Sequence, residues 1–286
     1  MKKTALVISS GGARGLAAIG VIEEMERQGY VISSIAGCSI GSLIGGMYAS
    51  GNLNKFKSWI LKLDKKDVFR LMDFTFNSRG ILKGQRVFEE LKKIIGDVNI
   101  EDLRIPFSAV AVNLNNHKEV VFRSGSLLEA IRASSSIPSI VTPIKKGNQV
   151  LVDGGILNPL PLSIIEKKEN DLLVGIDLNA FEAKKEKPTS SLYVDYDKYI
   201  RAISQYLPLN LEDYTKPSSS NVGSYFDITS RTFQIMQDKI IADSVYLYKP
   251  DLVIKIPRNS CSMFDFFKAS ELIELGVERF KHHNLR

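Results

Sequence analysis

Through the first half of the chain, short unbroken apolar runs alternate with longer stretches in which apolar residues return every three or four positions. A run of four to eight apolar residues marks a strand buried on both faces, and a period near 3.6 marks a helix with one buried face. "TALVIS" (4–9) and "VISSIAG" (31–37) read as strands. Between them, "GLAAIGVIEEMERQG" (15–29) carries Leu16, Ile19, Ile22 and Met25 at three-residue spacing and stops at Gly29, which predicts a helix. "IGSLIGGMYAS" (40–50) predicts a second helix, small-faced and closed by Gly51. Such alternation predicts an α/β protein with a mostly parallel sheet covered by helices.

The same reading continues downstream. "LKKII" (91–95) closes a helix, and "PFSAVAVNL" (106–114) and "KEVVF" (118–122) are strands joined by a turn at "NNH". "SLLEAIRASSS" (126–136) is helical, "QVLVDGG" (149–155) is a strand ending in a sharp turn, and "DLLVGIDLN" (171–179) is another strand. Residues 181–224 are rich in Pro, Ser and Lys and read as a mobile insertion. The C-terminal part, 225–286, reads as helix (230–248), strand (251–256) and terminal helix (269–283). One domain over 1–286 is expected, with its core at 4–180.

Composition narrows the classes without naming a chemistry. The 286 residues are 44% hydrophobic and 24% charged, which excludes a disordered chain and allows one large core. The two cysteines, Cys38 and Cys261, are too few for a disulfide framework. The three histidines, His117, His282 and His283, have no metal-ligand spacing. The net charge of +6 is spread along the chain and comes with no nucleic-acid-binding motif, so no nucleic-acid partner is expected. The N-terminal apolar run, Ala5–Ile8, is too short for a secretory signal, and no run approaches the roughly 20 apolar residues of a membrane span. A cytoplasmic protein is expected, with membrane contact confined to its surface. Oligomeric state is not legible.

Candidate chemistry begins at "GCSIG". Gly37, Cys38, Ser39, Ile40 and Gly41 form a G-x-S-x-G pattern, which acquires meaning only where a strand turns into a helix, as it does here. Ser39 reads as a nucleophile, with a serine in a small-residue turn as the alternative. The loop "SSGGARG" (9–15) follows the first strand, and Gly11 and Gly12 can present unobstructed backbone N–H groups to an oxyanion. The same loop also resembles the nucleotide-binding turn of short-chain dehydrogenases. Against that, Ala17 stands where the last glycine would be, and none of the ten tyrosines has Lys four residues later. A serine nucleophile needs a base. His117 lies in a turn without supporting context, and Asp153, at the end of a buried strand and followed by Gly154 and Gly155, is the best carboxylate. Its alternative is a turn aspartate.

Taken together, "SGGARGLAAIGV", "GCSIGSL" and "DGGILNPLP", with "ASSSIPSIVTPI" (133–144), resemble the patatin-like phospholipase family over roughly residues 4–180. The resemblance implies a three-layer α/β/α fold and a Ser39–Asp153 dyad. Ser39 would attack a fatty-acyl ester, and Asp153 would accept its proton and later help activate water. The loop Gly11, Gly12, Ala13, Arg14 and Gly15 would form the oxyanion hole, with the N–H groups of Gly12 and Ala13 as donors. Arg14 would orient the loop or meet a phosphate, unless it is a solvated arginine. No metal or cofactor is implied. Ser10 departs from the family, whose loop usually begins with a third glycine. Cys38 reads as a packing residue, with a competing thiol as its alternative.

"LNKFKSWILKLDKKDVFRLM" (53–72) places Phe56, Trp59, Ile60 and Leu63 on one helical face among lysines. This face packs on a core or lies on an anionic membrane. "DFTFNSRGILKG" (73–84) reads as a flap over an acyl pocket. The leading expectation is a lipid acyl hydrolase. An esterase for small soluble esters and a non-catalytic lipid-binding or scaffolding protein are the alternatives.

Overall fold

A computed structural model describes residues 2–77, 80–181 and 225–282. The expected insertion, apart from Phe181, lies outside the described residues. The strands are β1 (Lys2–Ile8), β2 (Tyr30–Cys38), β3 (Phe74–Asn77), β4 (Gly80–Leu82), β5 (Phe107–Asn113), β6 (Lys118–Phe122), β7 (Ile144–Lys146), β8 (Gln149–Asp153), β9 (Leu172–Ala180) and β10 (Leu252–Pro257). The helices are α1 (Ala17–Arg27), α2 (Ile40–Ala49), α3 (Leu53–Ile60), α4 (Lys65–Leu71), α5 (Gln85–Ile95), α6 (Leu127–Ser134), α7 (Tyr225–Tyr248) and α8 (Ala269–Lys281). The helix expected from residue 15 starts later, because Gly12–Leu16 winds as a tighter 3-10 turn.

Eight strands form one sheet in the order β10-β9-β1-β2-β5-β8-β7, with β6 paired to β5. The pairs from β10 to β5 are parallel, and β6, β7 and β8 join antiparallel. Alternation along each strand sends side chains to two faces. Leu6, Ile8, Ile35, Val174, Ile176 and Ile254 pack with α1, α2 and α8 on one side. Ala5, Val7, Ala36 and Cys38 pack on the other with Leu160, Leu162 and Ile241 of α7. Helices α1 and α8 cross in backbone contact: a Cβ on Gly20 would sit 1.9 Å from Ile273 O, and one on Gly276 would sit 1.9 Å from Ala17 O.

The 53–72 segment is two helices rather than one. Asp64 stops the run by capping α4, its carboxylate accepting from the Asp67 N–H at 2.8 Å while the Asp67 carboxylate accepts from the Asp64 N–H. Among the described residues, no helix is long and apolar enough to cross a membrane.

Candidate active site

Strand pairing brings together residues far apart in sequence. The first half of β5 pairs with β2, ending at Val110 opposite Cys38. The second half pairs antiparallel with β8, beginning at Ala111 opposite Asp153. The C-terminal tips of β2 and β8 therefore meet at successive positions of β5. Ser39 is the next residue after β2, and Asp153 is the last residue of β8.

Ser39 has φ 55 and ψ −124, a left-handed conformation that costs a non-glycine residue about 1–3 kcal/mol. The turn is possible because the flanking positions carry no side chain. A Cβ on Gly37 would meet Gly41 O at 2.3 Å, and one on Gly41 would meet Ile8 O at 2.2 Å. The Ser39 N–H donates to Ser134 Oγ at 2.9 Å, and the Ser134 hydroxyl donates to Val110 O at 2.6 Å. The Ser39 carbonyl accepts from Ser42 N–H at 2.9 Å and from the Ser42 hydroxyl at 2.6 Å, which starts α2.

Asp153 is 4% exposed. Its Oδ1 accepts from the Gly155 N–H at 2.7 Å, and its own N–H donates to Ser136 O at 2.9 Å. The Ser39 side chain hydrogen-bonds the carboxyl, and the Cys38 thiol lies 3.7 Å from Oδ1. Burial pushes the Asp153 carboxyl up to about 6, against the opposing pull of the bonds from Ser39, Gly155 and Cys38. That value suits a proton acceptor near neutral pH. Burial and the neighbouring Asp153 push the Cys38 thiol well up, so Cys38 stays protonated. His117 is exposed in the β5–β6 turn.

The loop after β1 packs against this pair. Gly12 has φ 59, and a Cβ on Gly15 would strike Ile40 Cγ1 at 2.2 Å. Gly11 is equally confined, 2.6 Å from Leu178 Cβ by the same measure. Arg14 is buried rather than solvated. Its Nε donates to Leu178 O at 2.8 Å and its guanidinium to Asn179 Oδ1 at 2.9 Å, tying the loop to the end of β9. The Ala13 N–H, expected to face an oxyanion, instead donates to Met263 O at 2.8 Å. The segment after β10 therefore lies across this part of the loop.

A cavity of about 190 Å³ runs from Gly12 and Ser39 between α3, α4, α5 and α6. Phe56, Trp59, Ile60 and Leu63 line it, so the expected apolar face of 53–72 faces this cavity. Leu82 and Gly84, at the base of the β3–β4 hairpin, also line it. Sequence reasoning missed four contributors. Ser134 and Ser136 hold the two sides of the site from the end of α6, and their only signal is the serine run "ASSS". Gln237 of α7 and Met263 belong to no motif, and only the fold brings them here.

The model for the Patatin-like phospholipase family matches residues 6–165. The chain belongs to that family, and is with it a lipid acyl hydrolase. It is similar to an uncharacterised NTE family protein of Mycobacterium bovis, 33% identical over 96% of this chain and 89% of the relative. It is also similar to the lysophospholipase NTE1 of Scheffersomyces stipitis, 31% identical over 61% of this chain but only 12% of that protein. Among solved structures, VipD from Legionella pneumophila matches with a TM-score of 0.43 and 13% identity, covering 96% of this chain and 66% of that one.

Proposed function

We propose that the chain hydrolyses single-chain fatty-acyl esters, lysophospholipids foremost, through a Ser39–Asp153 dyad. The observation that carries this reading is a buried serine, hydrogen-bonded to a buried carboxyl, at one end of an apolar cavity. Asp153 takes the Ser39 proton as Oγ adds to the ester carbonyl. The resulting oxyanion faces the Gly12 N–H, joined by the Ala13 N–H once the Met263 carbonyl withdraws. Collapse expels the alcohol, which takes the proton from Asp153, and leaves an acyl-enzyme. Asp153 then activates the water that releases the fatty acid.

The apolar cavity accounts for acyl recognition. The relatives named lysophospholipase support an ester that carries one chain. The substrate arrives from a lipid surface: Leu61 and Phe69 are 44% and 49% exposed beside exposed Lys62, Lys65 and Lys66, on the elements that wall the cavity. The test is incubation with lysophosphatidylcholine, diacyl phosphatidylcholine and p-nitrophenyl butyrate, with fatty acid quantified by mass spectrometry or nitrophenol by absorbance. Folded Ser39→Ala protein runs in parallel. Ser39-dependent release from the lysolipid supports the reading. Release from butyrate alone points to a small-ester esterase, and equal release by both proteins removes Ser39 from the mechanism.

A further inference from the structure

The polar side chain that joins the two halves of the site is Gln237. It sits on α7, 7% exposed, while its neighbours Ile235 and Met236 are 68% and 53% exposed. Its Nε2 donates to Gly155 O at 2.9 Å and lies 3.4 Å from Ser10 Oγ. A carbonyl oxygen only accepts, so the Gly155 contact fixes which end of the amide points inward. Gly155 is the residue whose N–H holds Asp153 Oδ1 at 2.7 Å. Three groups converge on it: a Cβ there would lie 2.8 Å from Gln237 Nε2, 3.0 Å from Asp153 Oδ1 and 3.3 Å from Ser10 Oγ. Ser10 is itself anchored, its carbonyl accepting from Asn179 Nδ2 at 2.6 Å, and Asn179 Oδ1 accepts from Arg14. A continuous line of polar contacts therefore runs from the loop after β1, through Gln237, to the turn that presents Asp153.

We propose that Gln237 is a positioning residue for the Asp153 base, clamping the turn after β8 against Ser10 of the glycine-rich loop. This rests on the Ser39–Asp153 reading above. It also gives Ser10 a use: where a glycine would present nothing, its hydroxyl meets the second N–H of the Gln237 amide. Gln237 does not line the acyl cavity, so substrate binding does not depend on it. Its contribution passes through the Gly155 N–H bond, which favours the carboxylate form of Asp153. The other groups about that carboxyl are the Ser39 hydroxyl and the Cys38 thiol, with Glu119 acting on Cys38 from β6.

The test is Gln237→Met, which keeps the volume and removes the donors, in protein carrying 13C-labelled aspartate carboxyls. Asp153→Asn identifies the Asp153 signal. The Asp153 titration midpoint should rise relative to wild type. On a p-nitrophenyl decanoate substrate, kcat should fall about ten- to a hundredfold with KM unchanged, as small misplacement of a base does. Gln237→Asn, whose amide falls one methylene short of Gly155, should behave the same way and serves if the Met variant does not fold. A folded variant with the wild-type midpoint overturns the proposal, even where kcat falls. Absence of Ser39-dependent turnover in the wild type would sink the hydrolase reading instead, and the carboxyl titration would still decide whether Gln237 sets the state of Asp153.

Discussion

Cys38 lies opposite Val110 and Asp153 opposite Ala111, on adjacent positions of β5. The proposed nucleophile and base are thus brought together by strand register, although Cys38 and Asp153 stand 115 positions apart in the sequence. Asp153→Asn should keep that register and the fold while removing the proton acceptor. Its Ser39-dependent turnover should drop about a hundred- to ten-thousandfold. Steady-state kinetics on a p-nitrophenyl ester, with circular dichroism to confirm folding, would check it. Turnover within threefold of wild type would exclude Asp153 as the base.

The Asp153 carboxyl, raised to about 6, must be ionised to accept a proton. kcat/KM should therefore rise about tenfold per pH unit below that value and level off above it. Stability should run the other way. A carboxyl whose folded value lies above its unfolded one holds more protons in the native state between the two. The stability contributed by this carboxyl is therefore fully present below about 4 and is lost as pH rises through about 6. The penalty at neutral pH is on the order of 3 kcal/mol. Asp153→Asn should accordingly melt higher than wild type at pH 8, with the gap narrowing toward pH 4. Melting curves for both proteins across that range are the measurement.

Ser39 holds φ 55 without being glycine. Ser39→Ala and Ser39→Gly should both be inactive, but only glycine relieves the backbone. Ser39→Gly should be more stable than Ser39→Ala by about 1 kcal/mol, the usual gain at a left-handed position offset by glycine's entropy in the unfolded chain. Urea denaturation of the pair would show it. Equal midpoints would mean the elbow relaxes when the hydroxyl is gone.

Much of the fold and site is readable in the sequence because it is written locally. Apolar runs and well-placed glycines mark β1, β2, α2 and the turns around Ser39 and Asp153. Burial of Arg14 is not legible, since its partners, Leu178 and Asn179, lie at the end of β9. Nor is the use of the Ala13 N–H by Met263, a contact across 250 positions that no local pattern encodes. The break at Asp64 is in principle visible as D-x-x-D, but the aromatic stripe on either side reads as continuous. Gln237 gives no signal, because a glutamine on a long helix is ordinarily solvated.

The cavity separates a lipid hydrolase from a small-ester esterase. Leu63 lines it and is only partly buried, so Leu63→Trp can add bulk to the lumen without opening a void in the core. Turnover of a p-nitrophenyl palmitate should fall at least about tenfold, since each excluded methylene is worth roughly 1 kcal/mol. Turnover of the butyrate should stay within about twofold. Equal losses on both esters would mean that the acyl chain does not use this cavity.

Phe69 packs against Phe74 with ring centroids 5.3 Å apart and the rings tilted, and remains half exposed, and Leu61 is exposed on the turn between α3 and α4. Lys62, Lys65 and Lys66 are exposed beside them. Apolar side chains ringed by lysines bind an anionic bilayer by combining burial with Coulomb attraction, at about 1 kcal/mol per basic residue near the surface. Leu61→Glu with Phe69→Glu should therefore weaken sedimentation with phosphatidylglycerol-containing vesicles and slow hydrolysis of lysolipid embedded in them. Hydrolysis of a soluble monomeric ester should be unchanged, because neither side chain lines the cavity. Raising salt from about 50 mM to about 500 mM, a range over which the Debye length shortens several-fold, should reproduce part of the loss in the wild type. Vesicle binding that survives both the substitutions and the salt would move the docking face elsewhere on the molecule.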